Sequence, residues 1–209
     1  MKNQKKIRLI IVVVALLFSA TFILSGCSHA LNKSSASSTS SASGTSSALS
    51  TSSATSASSG NVLVKSADGS VSLSVPGDWN TNDKNPYPSA IIGVSSNTDY
   101  QHVIVTTRTK SSLPANTTLN VYMSDIKKVY SLADTNLVWG KISNATIDGY
   151  HALTVQLNAT NNSKNLVYWI IAIESPSNYY SVSGWTTTDL AGKDKPVIEN
   201  VINSFKAKT

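Results

Sequence analysis

The side chains that could do chemistry in this chain are few and widely spaced. His102 and His151 are the only histidines after His29, Arg108 is the only arginine after Arg8, and Glu174 and Glu199 are the only glutamates. A nucleophilic hydrolase places Ser or Cys beside a base, and no G-x-S-x-G, H-E-x-x-H or Walker loop occurs. Metal ligation calls for His, Cys, Asp and Glu at ligand spacing, and no such spacing is present, so neither metal nor cofactor is expected. Glycoside hydrolysis needs two carboxyl groups facing one cleft. Here the aspartates fall mostly in turns. On one strand face His102 alternates with Tyr100, Ile104, Thr106 and Arg108, where Arg108 could clamp an anion or serve as an ordinary surface cation. His151 is expected at the edge of an apolar face, beside Leu153.

Aromatic residues are the other candidates for contact. Tyr87, between Pro86 and Pro88 in a polar loop, is a stiff side chain suited either to binding or to packing on the body. Trp139 and Tyr150, with Tyr179 and Trp185, could form an aromatic platform for sugar or peptide. The alternative is that a helix covers them as core.

The elements that must position these residues are mostly strands. Val62 and Val64 alternate before Asp68-Gly69, and Val71, Leu73 and Val75 alternate after it, which predicts a hairpin ended by Pro76. A second turn, Asp148-Gly149, joins Leu137–Ile147 to Tyr150–Ala159. A two-residue loop pairs Ile147 with Tyr150 and sets Ile142 opposite Val155, so that Val138, Ile142, Leu153, Val155 and Leu157 share one face. The run LVYWIIAI, Leu166 to Ile173, is apolar on both alternating sets and predicts a central strand covered on each side. A turn at Ser175-Pro176-Ser177-Asn178 returns the chain as another strand. Ile91–Val94 and His102–Thr107 supply two more. Two helices are expected. One covers Thr118–Ser131, with Leu119, Tyr122, Ile126 and Val129 inward and Thr117 or Thr118 as cap. The other is C-terminal, with Pro196 in its first turn and Val197, Ile198, Val201, Ile202 and Phe205 as its stripe. Runs of strands interrupted by one helix and closed by another indicate an α+β sandwich on an antiparallel sheet of about six strands.

Two stretches carry a family resemblance. SADGSVSLSVPGDW, Ser66 to Trp79, resembles the opening of PsbP-like (Mog1/PsbP-like) domains, and VIENVINSFK, Val197 to Lys206, is similar to their closing helix. The resemblance implies a layered α/β/α sandwich. It brings no catalytic residue set with it. Many bacterial members are lipoproteins of unknown role, and eukaryotic relatives are accessory proteins to photosystem II or to a small GTPase.

The N-terminus adds location. Lys2, Lys5, Lys6 and Arg8 form a basic head, and Leu9 to Leu24 is apolar, the layout of an export signal. That run is about 16 residues, short of the ~20 needed to span a bilayer. Leu24-Ser25-Gly26-Cys27 then resembles the bacterial lipobox. The resemblance implies cleavage after Gly26 and a lipid on Cys27, the one cysteine of the chain. The expected organisation is a signal peptide over 1–26, a lipidated, disordered Ser/Thr/Ala tether over 27–60, and one globular domain over 61–209. Removing the signal leaves 13 of the 17 basic residues against 11 acidic ones, a net +2. That excludes the concentrated basic footprint of a nucleic-acid binder. With a single thiol, no intrachain disulfide can form, and the fold must rest on its core. These readings predict a non-enzymatic binding or accessory module, held at the outer face of the cell membrane by its lipid. Its partner would be a protein or an envelope component. A lipid, glycan or small-ligand carrier ranks second, and a wall-polymer hydrolase third.

Overall fold

The computed structural model of the chain describes residues 60–83 and 87–208. Leu24, Ser25, Gly26, Cys27 and the tether as far as residue 59 lie outside them.

A hairpin opens the domain: β1 (Asn61–Lys65) pairs antiparallel with β2 (Val71–Pro76). Its loop is longer than the two-residue turn that Asp68-Gly69 suggests. Lys65 pairs with Ser72, and only Gly69 has positive φ, at 67°. The Asp68 carboxylate organises the loop by accepting from the hydroxyls of Ser66 and Ser70, at 2.6 and 2.8 Å. These bonds, Ser66 first, pull its pKa down to about 2. The strand β10 (Lys206–Ala207) adds to the other side of β2, making a three-stranded sheet.

The main sheet has seven strands: β3 (Ile92–Ser95), β4 (His102–Thr109), β5 (Thr135–Trp139), β6 (Ser143–Ile147), β7 (Tyr150–Asn161), β8 (Lys164–Glu174) and β9 (Asn178–Thr187). Their order is β3-β4-β9-β8-β7-β5, with β6 also on β7, and every pairing is antiparallel. The doubly apolar β8 lies between β7 and β9, as its sequence requires. Val167, Trp169, Ile171 and Ile173 point to one core, and Leu166, Tyr168, Ile170 and Ala172 to the other. The first core is closed by the small sheet and by helix α2 (Ala191–Asn203), the second by helix α1 (Leu119–Ala133). The architecture is therefore α+β, a helix on each face of an antiparallel sheet.

Helix α1 begins at Thr118, whose side chain accepts from the Val121 N–H at 3.3 Å. Its buried stripe is Leu119, Tyr122, Met123, Ile126 and Tyr130. Val129, expected inward, is half exposed. At 3.6 residues per turn it stands about 80° from the centre of that stripe, so Tyr130 takes its place. Helix α2 starts earlier than Pro196 suggests, because Asp194 anchors its first turn from within. The Asp194 carboxylate is 0% exposed and accepts from Gln101 Nε2 at 2.7 Å and Thr186 Oγ1 at 2.6 Å. Pro196 thus falls inside the helix. The helix sits so close to β9 that a Cβ on Gly184 would lie 2.3 Å from Ile198 Cγ2. Only glycine permits that approach. The helix ends at Asn203, and Phe205 follows it, fully buried, with its ring 5.2 Å from that of Tyr180.

The second hairpin departs from expectation in an informative way. Asp148 and Gly149 both have positive φ, 53° and 79°, and Ile147 pairs with Tyr150 as read. The register holds to Ser143 opposite Thr154. Trp139 then faces Leu157 instead of Asn158, because one extra residue is accommodated between Gly140 and Ile142. A one-residue slip exchanges the two faces of a strand. Trp139 therefore points toward α1, while Val138 turns outward and is 64% exposed. Ile142 falls in the break between the strands and has no register partner on β7. Gly140 suits this bulge: its N–H donates to Gln156 O at 2.8 Å, and a Cβ there would come within 3.2 Å of that oxygen.

Candidate functional site

The candidate residues are distributed by strand register over two ends of the α1 face and one place on the opposite face. At the end where β4 begins and β9 finishes, His102 pairs with Trp185 across the ladder. Their rings stack at 4.9 Å with 8° between the planes. Tyr100 meets His102 edge-on at 5.0 Å, and Tyr87 meets Trp185 edge-on at 5.7 Å. Trp185, Tyr168, Tyr130 and Trp139 continue the aromatic chain beneath α1, with successive centroids 5.9, 5.1 and 6.1 Å apart. Edge-to-face and offset contacts of this kind add to simple burial.

Two acids meet this cluster. The segment after Asn80 runs along β3, through the Asn80–Ser95 bridge and an Asp83 N–H to Gly93 O bond of 2.8 Å. That brings Asp83 Oδ2 to 3.6 Å from His102 Nδ1. Burial lowers the pKa of His102 and outweighs the opposing pull of Asp83, and Lys164 lowers it further. The imidazole is neutral at pH 7. At the end of α1, Asp134 is buried. Its Oδ1 accepts from Asn161 Nδ2 at 2.5 Å and from Tyr168 Oη at 3.5 Å, whereas Oδ2 has no partner. Burial raises its carboxyl above its ordinary value, against those two bonds. Burial likewise pushes the hydroxyls of Tyr87, Tyr130 and Tyr168 upward, so none is available as an acid near neutrality.

Arg108 and Tyr179 lie together at the far end of the face, opposite each other on β4 and β9. Tyr179 stacks on Tyr122 at 5.0 Å and donates to Thr117 O at 2.9 Å, and Lys110 sits over its ring at 4.9 Å while bonding Glu174 at 2.7 Å. Burial pushes the Tyr122 hydroxyl up to about 12, with Arg108 opposing. Tyr150 is on the other face of the sheet, against the α2 core.

The four aromatics proposed as one platform thus do not form one. Tyr150 has the wrong face, Tyr179 is at the far end, and Trp185 is only 3% exposed. The space between sheet and α1 is filled by Met123, Tyr130 and Tyr168. Tyr87 packs on the body through Trp185. His151 is exposed instead of resting at the apolar edge, and its ring lies 3.3 Å from Asn144 Oδ1. Asp83, Asp134 and Lys164, whose ammonium stands 4.0 Å above the Tyr100 ring, escaped sequence reasoning. Each stands in a loop or at an element end, with partners supplied by distant segments. Among the described residues, no group of three His, Cys, Asp or Glu side chains is placed to hold a metal ion. Nor is any helix among them long and apolar enough to cross a membrane.

Comparison with known proteins locates the fold. No protein-family model and no curated sequence matches the chain. Among solved structures it is similar to the cyanobacterial PsbP, CyanoP, of Synechocystis, with a TM-score of 0.54 at 13% identity, over 75% of this chain and 98% of that one. It is also similar to LpqN of Mycobacterium tuberculosis, described as involved in cell envelope biogenesis, with a TM-score of 0.52 at 14% identity over 71% and 91%. The domain has the PsbP-like fold.

Proposed function

We propose that this chain is an extracytoplasmic lipoprotein whose PsbP-like domain, 61–209, binds a protein or envelope component without turning it over. Cys27 carries the lipid that holds it to the membrane, and the 33 residues from Ser28 to Gly60 form its tether. The observation that carries the non-enzymatic reading is the use made of the candidate side chains. Trp185 and Tyr179 are spent on stacking and hydrogen bonding within the core, and the half-buried His102 is held neutral against the Trp185 ring instead of beside a nucleophile. LpqN, a structural neighbour tied by description to envelope biogenesis, agrees with this setting. Crosslinking in intact cells tests the proposal. The full chain should yield a discrete crosslinked envelope component, recovered with the membrane fraction. Failure to crosslink to any component, or multiple-turnover degradation of wall polymer by the purified chain, would refute it.

A further inference from the structure

One polar region lies apart from the aromatic cluster and is joined to it only through Lys164. At the end of the main sheet where β7 turns into β8, two shallow depressions adjoin, each of about 460–470 Å³, and they share Asn165 and Thr188. They lie beside the loop that leads into α2. Three features of the chain build them. Asn162 and Ser163, both at positive φ (46° and 65°), make the tight turn that brings Thr160 opposite Asn165. An irregularity in β5 between Thr135 and Val138 leaves Asn136 at φ 52° and sets its amide against Thr160. Bulges commonly re-aim side chains beside binding sites. Finally, Thr188 Oγ1 donates to Asn165 O at 2.8 Å and ties the loop to the turn.

The lining determines what would fit. Asn136 Nδ2 donates to Thr160 Oγ1 at 3.3 Å, Thr160 Oγ1 donates to Asn165 Oδ1 at 3.1 Å, and Gln156 Nε2 donates to Asn158 Oδ1 at 3.3 Å. The amide nitrogens of Asn158 and Asn165 and the carbonyl oxygen of Asn136 make none of these bonds. They present donors and an acceptor on one exposed surface, the inventory that hydroxyl and amide ligands satisfy. The charges are one Lys164 and one Asp189, which cancel. A polyanion therefore has no field to hold it. Ala159 and Leu166 turn their side chains into the core beneath α1, so the strand backbone between the exposed amides forms the floor. A ligand that carries both hydroxyl and amide groups and no net charge matches this surface, and an N-acetylated saccharide chain is such a ligand.

We propose that this amide-lined end of the sheet, centred on Asn158, Asn165 and Thr188, binds a neutral N-acetylhexosamine polymer of the cell wall. The choice of a wall polymer rests on the tethered placement proposed above. The test is affinity electrophoresis of the full chain in mild detergent, through gels holding glycol chitin, hydroxyethylcellulose or dextran sulfate. Glycol chitin should retard the chain. An Asn158→Ala/Asn165→Ala double variant, altered only at exposed positions, should bind about tenfold more weakly through loss of two neutral hydrogen bonds. Its melting temperature should match that of the unaltered chain. No retardation by glycol chitin, equal retardation of the double variant, or retardation by dextran sulfate or hydroxyethylcellulose alone would overturn the assignment. A chain that crosslinks to an envelope protein in cells yet ignores glycol chitin would refute this site and leave the binding-module reading standing.

Discussion

His102 shows how a residue suited to catalysis is used for packing. Stacked on Trp185 and only partly opposed by Asp83, it resists protonation in the folded chain. The linkage has a definite sign. Above the unfolded histidine pKa of about 6.5 neither state binds the proton, and stability is unaffected. As pH falls below that value, the unfolded chain takes up a proton that the native ring refuses, so stability declines toward the lower folded pKa. His102→Phe retains the ring and removes the titration. Its melting temperature should therefore fall less than that of the unaltered chain between about pH 7 and pH 5, the window set by the lowered pKa. Parallel melting curves for the two proteins would show that burial of His102 has no such effect. That His102, Ile104 and Arg108 share one strand face was legible in the alternation of the sequence. Its partners were not. Asp83 reaches it from a loop, and buried Asp194 takes its hydrogen bond from Gln101, 93 residues away. No local pattern encodes contacts of that range.

At the scale of elements, the closing segment is the part on which the fold depends most. Ile198, Val201, Ile202 and Phe205 are all buried against the sheet, and Ser204 bonds back to Ser74 of β2, its hydroxyl accepting from the Ser74 N–H at 2.8 Å. Truncating a buried Phe to Ala costs about 3–5 kcal/mol, from lost transfer energy and the cavity left behind. Against a total of ~5–15 kcal/mol for a domain of this size, that is a large share. Phe205→Ala should therefore lower the melting temperature by several degrees or more, and a chain ending at Lys195 should show no cooperative melt. An unshifted transition for that truncation would mean that the segment is a detachable tail. Much of this level could be read in advance. The Asp-Gly pair at 148–149 and the doubly apolar run of β8 announced their elements because turn geometry and strand period are local properties. The bulge at Gly140, the start of α2 before Pro196 and the strand β10 could not be read. Each depends on what packs against the segment, which overrides local preference.

For the whole molecule, the proposed location and the fold act together. In the function proposed above, a lipid on Cys27 and the 33 residues that follow it place the domain in the layer beside the membrane. In the domain itself, both faces of β8 are buried and a helix covers each side of the sheet. The measurement closest to this claim is acyl labelling of cells with a palmitate analogue, followed by membrane fractionation, for the unaltered chain and for Cys27→Ser. The unaltered chain should carry the label, sediment with membranes and begin at Cys27 after processing. Cys27→Ser should carry none, and should accumulate as precursor or be released. Undiminished labelling and membrane retention of Cys27→Ser would contradict the account.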